Sequence, residues 1–141
     1  MLGVLLIVAA GCKPANPPPA ASASPEPASN AVAAAPKPNP AFENLAGRWV
    51  RPDGGYILEF RSVDAEGKVE AGYYNPSPIN VSGARAYTEG SATRVFVELR
   101  DVNYPGSTYK LTYDAKTDQL FGQYYQATLQ QTFEVTFARQ K

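Results

Sequence analysis

The last hundred residues of the chain carry short runs in which apolar and polar residues alternate, and each run ends at a turn signal. In one run, Tyr56, Leu58 and Phe60 share one face while Glu59 and Arg61 share the other. Alternation with a period of two is typical of a strand with one buried face. The pattern predicts no helix and eight strands, at residues 45–51, 56–61, 69–73, 79–87, 95–100, 109–113, 120–124 and 132–138.

The fourth predicted strand, 79–87, is the least regular. Its odd positions are Ile79, Val81, Gly83, Arg85 and Tyr87, so regular alternation would turn a charged side chain toward the core. A β-bulge, which inserts one extra residue into a strand, shifts the alternation by one position. We therefore expect either a bulge at Gly83 or an inward-facing Arg85.

Eight short strands with one apolar face each can bury those faces in a β-sandwich or in a closed barrel. The connections between the strands are all of hairpin length, which favours a simple meander. Pairing the first strand of a meander with the last closes the sheet and removes both exposed edges. The sequence therefore predicts an all-β domain over 42–141, an eight-stranded antiparallel up-and-down barrel, with a β-sandwich as the alternative.

The chain begins with an apolar run at 2–10, too short to cross a bilayer, which takes about 20 residues, but of the length found in signal peptides. The sequence Ala-Ala-Gly-Cys at 9–12 follows and resembles the lipobox of bacterial lipoproteins. The resemblance implies that a signal peptide, 1–11, is removed and that Cys12 receives a lipid anchor whose acyl chains include palmitate. Only Met1 precedes the apolar run, which predicts a natural start further upstream.

A stretch rich in proline and alanine, 12–41, separates the lipobox from the predicted strands. It holds nine of the 13 prolines, no aromatic residue, and only Lys13, Glu26 and Lys37 as charged residues. Such a composition cannot bury enough apolar surface to offset the entropy of ordering, so we expect a disordered tether. By the sorting rule of the lipoprotein family, a lysine after the cysteine implies the outer membrane of the cell envelope, facing the periplasm or the cell surface.

Composition excludes several classes of function. The chain has 141 residues, 13 basic and 13 acidic side chains, no histidine and one cysteine. Zero net charge argues against a nucleic-acid partner, which requires a basic surface. The absence of histidine removes the commonest metal ligand and the usual general base near neutral pH, and a single thiol excludes an internal disulfide and a thiolate metal cluster. We therefore predict no catalytic residue, no metal, no cofactor and no enzymatic activity.

The start of the predicted domain also resembles known barrel families. Gly47-Arg48-Trp49, then Gly54-Gly55, Gly67 and Gly72-Tyr73, look like the first hairpins of the avidin family. The Gly-x-Trp motif also resembles the start of lipocalins, which share a barrel of this topology. The resemblance implies that Trp49 packs across the closed end of the barrel. It does not imply biotin binding, because avidin pockets are walled by several tryptophans and this chain has one.

Successive loops of a meander alternate between the barrel ends, and the sequence gives the two ends different chemistry. One end receives charged turns that simply reverse the chain, at 64–67, 88–91 and 114–118. The loops of the other end hold the four prolines of the domain together with amides and tyrosines, as binding loops often do, although these residues also serve as plain turn formers. The predicted binding rim consists of Arg51, Asp53, Asn75, Asn80, Asp101, Asn103, Tyr104 and Gln126.

Within this rim, the loop 101–106 has the most distinctive sequence. Pro105 fixes its own backbone angle and favours an extended conformation of Tyr104, while Gly106 can adopt a positive φ. We expect a rigid loop that holds the Tyr104 ring and the Asn103 amide outward.

These observations predict a lipid-anchored envelope domain that binds without catalysis, with one small ligand or glycan fragment at the open barrel end. The partners expected are therefore the membrane, through the N-terminal lipid, and an unidentified small ligand. The alternative is a protein-binding module, such as a periplasmic inhibitor of lysozyme-type hydrolases or an envelope scaffold. Small-barrel inhibitors have a similar size, but this chain lacks their cysteine pairs.

Overall fold

The computed structural model describes residues 39–141, which form one antiparallel sheet without a helix. The signal peptide 1–11, Cys12 and all but the last three residues of the tether lie outside the described residues. None of the residues described could cross a membrane as a helix. The strands are β1 (Gly47–Val50), β2 (Ile57–Val63), β3 (Val69–Asn75), β4 (Ser77–Ile79), β5 (Val81–Glu89), β6 (Ala92–Asp101), β7 (Tyr104–Asp114), β8 (Gln119–Gln126) and β9 (Gln131–Arg139).

The strand order is that of a meander whose first and last strands have joined. It runs β4-β3-β2-β1-β9-β8-β7-β6-β5, so that β1 pairs with β9 and every strand except β4 and β5 pairs with both of its neighbours along the chain or around the closure. The β1–β9 ladder is short, with Trp49 opposite Arg139 and Val50 opposite Ala138. The prediction of an all-β antiparallel domain is confirmed, and the sheet curls into a nearly closed barrel.

The predicted number of strands is wrong, because the fourth predicted strand divides at Asn80 into β4 and β5. Asn80 leaves the ladder since its backbone N–H donates to the Asp101 carboxylate (2.8 Å) and its carbonyl accepts from the Arg100 N–H (2.9 Å). The three residues of β4 fold back on β3 instead, with Ser77 opposite Asn75.

Strand β5 contains the irregularity that its sequence predicts. Its register against β6 passes from Val81 opposite Leu99 to Gly83 opposite Glu98, which leaves Ser82 as the extra residue of a bulge. Beyond the bulge the even positions face inward, so Ala86 is buried and Arg85 is exposed. The bulge therefore keeps the charged side chain in water.

The interior follows the predicted alternation on the other long strands. The large strand residues with almost no exposed surface come from seven strands, and most alternate with less buried neighbours; they are Trp49, Leu58, Phe60, Tyr73, Val95, Val97, Leu99, Tyr109, Leu111, Leu120 and Phe137. Most are aliphatic or aromatic side chains without a charge, so their removal from water supplies the main driving force for folding.

Trp49 lies near the barrel end at which the described chain begins. Its ring is fully buried, and its indole N–H donates to the carbonyl of Leu45 at 2.9 Å. The Arg139 guanidinium covers the ring at 4.2 Å from the centroid, and Tyr113 meets it edge-on at 6.0 Å. Leu45 and Phe42, which belong to a turn before β1, are also buried here, so the first strand begins two residues later than predicted.

The barrel is not fully closed where β3 faces β5, a place that we call the seam. An isolated bridge between Lys68 and Arg85 joins its two sides, together with a hydrogen bond from the Ala86 N–H to the Gly67 carbonyl (2.6 Å). The seam is protected from further pairing on both sides, because β4 is short and contains Pro78 while β5 carries its bulge.

Gly67 and Gly90 provide a matched test of the close approach at the seam. Both have positive φ, +85° and +61°, but a Cβ on Gly67 would overlap the Ala86 carbonyl oxygen whereas a Cβ on Gly90 meets nothing within 4 Å. We expect Gly90→Ala to lower the free energy of unfolding by about 1–2 kcal/mol, the cost of the left-handed conformation. Gly67→Ala should cost at least about 1 kcal/mol more, because it also separates β5 from the turn before β3. The free energies of unfolding are measured by urea denaturation. Equal losses in the two variants would contradict the close contact at the seam.

Candidate functional site

The barrel end opposite Trp49 opens into a cavity of about 370 Å³. Ligand sites commonly range from about 300 to 1,000 Å³, so the cavity suits one small molecule. It lies beneath the loops that connect β1 to β2, β3 to β5, β6 to β7 and β8 to β9. The cavity is lined by Arg51, Asp53, Tyr56, Tyr73, Asn75, Asn103, Tyr104, Tyr124, Gln126, Phe133 and Glu134.

Six of the eight residues of the predicted binding rim line this cavity; they are Arg51, Asp53, Asn75, Asn103, Tyr104 and Gln126. Asn80 and Asp101 do not, and they bond to one another instead. The Asp101 carboxylate accepts the backbone N–H of Asn80 (2.8 Å) and of Val102 (2.7 Å), and these bonds hold the pKa of Asp101 below its ordinary value. The Asn80 side chain donates to the carbonyl of Arg100. This pair fastens the start of β5 to the β6–β7 turn, beside the cavity.

Arg51 is the positively charged residue of the cavity lining, and it is held from several directions. Its side chain is only 12% exposed, and its guanidinium lies 4.6 Å from the centre of the Tyr56 ring. Nε donates to one Asp53 carboxylate oxygen at 2.8 Å and Nη2 to the other. This contact holds the pKa of Asp53 below its usual range and raises the pKa of Arg51. The Arg51 guanidinium also lies beside the Tyr109 hydroxyl.

Tyrosines form the floor between the cavity and the core. The hydroxyl oxygens of Tyr73 and Tyr109 are 2.9 Å apart, and the Tyr109 ring stacks on that of Tyr124 at 4.5 Å. Burial raises the pKa of Tyr73 well above its ordinary value. Burial raises the pKa of Tyr109 to about 12, against the lowering effect of its hydrogen bond with Tyr73 and of Arg51. Both hydroxyls are thus neutral hydrogen-bonding groups at physiological pH.

Tyr104 does not point outward as predicted. Strand β7 already begins at this residue, and its half-buried ring meets Tyr73 edge-on at 6.0 Å. The Asn75 side-chain amide donates to its hydroxyl at 2.6 Å. The exposed turn is reduced to Val102 and Asn103. The register shift that leaves Gly106 as an extra residue in β7 turns Tyr104 inward, although regular alternation from Tyr109 and Ser107 would turn it outward. Tyr104 is therefore a wall of the cavity, while Asn103 remains on its rim.

Sequence reasoning missed five lining residues as parts of the site. Tyr56 and Phe133 were expected to fill the core, Tyr73 and Tyr124 to face inward near the rim without belonging to the predicted set, and Glu134 to lie on the solvated outer face. The first four do face inward, but each lies at the strand end nearest the open loops, where the interior is no longer filled. Large aromatic residues at that end of inward-facing strands were the signal that could have identified them.

Residues 39–141 bring no three His, Cys, Asp or Glu side chains together in a way that could hold a metal ion. No protein-family model, curated protein or solved structure matches the chain. The resemblances to the lipobox and to the avidin and lipocalin families therefore stay predictions. The cavity combines a rigid arginine, several side-chain amides and several aromatic faces. This combination suits the recognition of a small polar molecule.

The tyrosine floor predicts how stability depends on alkaline pH. Tyr109 ionises near pH 12 in the folded protein but near its ordinary value of about 10 when unfolded. Its contribution to stability is therefore complete below pH 10 and is lost as pH rises toward 12. We expect part of the tyrosinate absorbance to appear only with unfolding, as followed by circular dichroism, and Tyr109→Phe to weaken this pH dependence. Titration of all nine tyrosines near pH 10 in a protein that stays folded would contradict the buried floor.

Proposed function

We propose that this chain is a lipid-anchored protein of the bacterial cell envelope whose barrel binds one small ligand or glycan fragment without catalysis. The observation that carries the proposal is the cavity at one barrel end, which combines aromatic walls with a fixed arginine and several amides. The described chain starts at the opposite end, near Trp49 and Leu45, so a tether would leave the cavity accessible.

The lining supports a sugar-like ligand more than a purely apolar one. Tyr56, Tyr104 and Phe133 present flat aromatic surface, against which the C–H face of a sugar ring can stack. Asn103 and Gln126 offer amide donors and acceptors at the rim, which suit hydroxyl groups. Few polar groups placed among aromatic walls are what give a small cavity both affinity and orientation.

The carboxylates at the cavity support binding rather than hydrolysis. Glycoside hydrolysis needs a carboxylic acid with a raised pKa to protonate the leaving group. Asp53 has the opposite property, since its contact with Arg51 lowers its pKa. Glu134 is exposed and accepts a hydrogen bond from Gln123. The chain also has no histidine that could move a proton at neutral pH.

A protein partner is the second candidate function, and the loop tips favour it. Val102 is 91% exposed at the tip of the β6–β7 turn, and Leu129 is 56% exposed in the β8–β9 loop. Exposed apolar side chains on neighbouring loops are typical of a contact surface for another protein. An inhibitor that plugs an enzyme's cleft would use these tips and leave the cavity empty.

If the ligand binds in the cavity, substitutions at the open barrel end should weaken its binding and substitutions at the opposite end should not. We expect native mass spectrometry to show a co-purifying ligand, and the double change Asn103→Ala with Gln126→Ala to weaken its binding at least tenfold, about 1.4 kcal/mol. The matched control is Lys116→Ala in the turn of the opposite end, which should leave binding unchanged. Neither change should lower the free energy of unfolding by more than about 0.5 kcal/mol, since these side chains lie at the surface.

Two results together would contradict binding in the cavity: the protein purifies without a small ligand, and it captures an envelope protein through Val102 and Leu129. In that case Val102→Asp and Leu129→Asp would abolish the capture, and the changes at Asn103 and Gln126 would not.

The anchor has a separate test. We expect a radiolabelled or alkyne-tagged fatty acid to label the full chain at Cys12, because the lipobox resemblance implies lipid attachment there. Cys12→Ser should abolish the label. The variant protein should then be either released from the membrane or left with its signal peptide uncleaved. An unlabelled wild-type protein that retains its apolar N-terminal run would contradict the anchoring proposal.

A further inference from the structure

We infer that the ligand of this cavity is an acid whose carboxylate takes the place that Asp53 occupies on the Arg51 guanidinium. The inference rests on the proposed function and narrows its ligand to a ring compound with a carboxylate, such as a sugar acid. It is based on a difference between the two residues: the Arg51 side chain is fixed by its surroundings, whereas the Asp53 side chain is exposed and can be displaced.

Arg51 is held in place before any ligand arrives. It directly follows β1, and its backbone N–H donates to the Tyr56 carbonyl (2.9 Å) while its own carbonyl accepts from Gly55 (3.0 Å). The Tyr56 ring covers one face of the guanidinium. A planar guanidinium fixed in this way presents two parallel N–H groups, the arrangement that matches a carboxylate.

Asp53, in contrast, is easily displaced. Its side chain is 58% exposed, in a turn that continues into Gly54 and Gly55. Because the Asp53 carboxylate is already largely solvated, its return to water carries little cost, provided that another anion takes its place on Arg51. When a ligand carboxylate replaces Asp53, the half-buried Arg51 keeps a bidentate partner and the released Asp53 returns to water. The exchange leaves no charge unpaired inside the cavity.

The other charges of the lining decide between classes of ligand. A cation would be repelled by Arg51 and would find a partner at the exposed Glu134 or by taking Asp53 from Arg51. A neutral sugar would leave the Arg51–Asp53 pair as it is. Glu134 also lines the cavity, so with Asp53 in place the lining has one positive and two negative groups. An acid therefore gains from the cavity only by taking over the Arg51 contact. Removing the charge of Asp53 should therefore strengthen binding of the acid much more than removing the charge of Glu134.

The experiment uses the full-length protein in detergent micelles and pairs of sugars in which one member is neutral and the other carries a carboxylate, on C6 in the first pair and on a lactyl ether in the second. Methyl glucuronoside is compared with methyl glucoside, and N-acetylmuramic acid with N-acetylglucosamine, by calorimetric titration. We expect the acid of a pair to bind at least about tenfold more tightly than its neutral partner. Asp53→Asn should strengthen binding of the acid about tenfold, and the matched control Glu134→Gln no more than about threefold.

Arg51→Lys should lower the ratio of acid affinity to neutral-sugar affinity toward one, because lysine lacks the planar fork that pairs with a carboxylate. Equal affinities within each pair would overturn the inference while leaving the proposed binding function intact. Equal gains from Asp53→Asn and Glu134→Gln would also overturn it, since they would show a general charge effect. If no member of either pair binds, the inference fails, and the proposed function is still decided by the search for a co-purifying ligand. The Asp53→Asn result stands even if Arg51→Lys fails to fold.

Discussion

Arg139 joins the last strand of this barrel to the first, and the rest of the structure depends on that junction. Its guanidinium covers the Trp49 ring at 4.2 Å, while Nε donates to the Asp118 carboxylate at 2.7 Å. Its remaining N–H groups donate to the carbonyls of Ala46 (2.8 Å) and Asn44. One side chain thus joins β9, β1, the β7–β8 turn and the turn that precedes β1. With only two residue pairs in the β1–β9 ladder, such side-chain contacts are what keep the junction closed.

The same junction determines the geometry of the candidate site. β1 has only four residues, and Arg51 follows its last residue, Val50, which pairs with Ala138 of β9. The position of the Arg51 guanidinium at the cavity therefore follows from the closure of the barrel at β1. Phe133 reaches the same cavity from the other end of β9. A fixed cation and an aromatic wall are brought together by strands that are about eighty residues apart in sequence.

The sequence predicted what depends on local alternation and missed what depends on contacts between distant residues. Leu58 and Val97 lie on the faces that the period-two pattern assigns to the core, and both are buried. The break at Asn80 arises from its bond with Asp101, and the inward turn of Tyr104 is stabilised by Asn75. Such long-range hydrogen bonds leave no periodic trace in the chain. Loop composition did indicate the barrel end at which the cavity lies, because the connections of that end together hold the four prolines of the domain and several amides and tyrosines.

The seam explains why the interior of this end is polar. Between β3 and β5 a backbone ladder is nearly absent, and side chains of β3 instead reach across the barrel to β7. Tyr73 bonds with Tyr109, and Asn75 donates to Tyr104. A hydrophobic side chain at any of these positions would fill space but leave β3 without a directional contact to the far wall. The hydroxyls and amides that hold the seam side in place are therefore also groups that a ligand in the cavity would meet. Tyr73, Tyr104 and Asn75 would therefore serve both stability and the proposed recognition, whereas the rim amides of Asn103 and Gln126 lie outside this set.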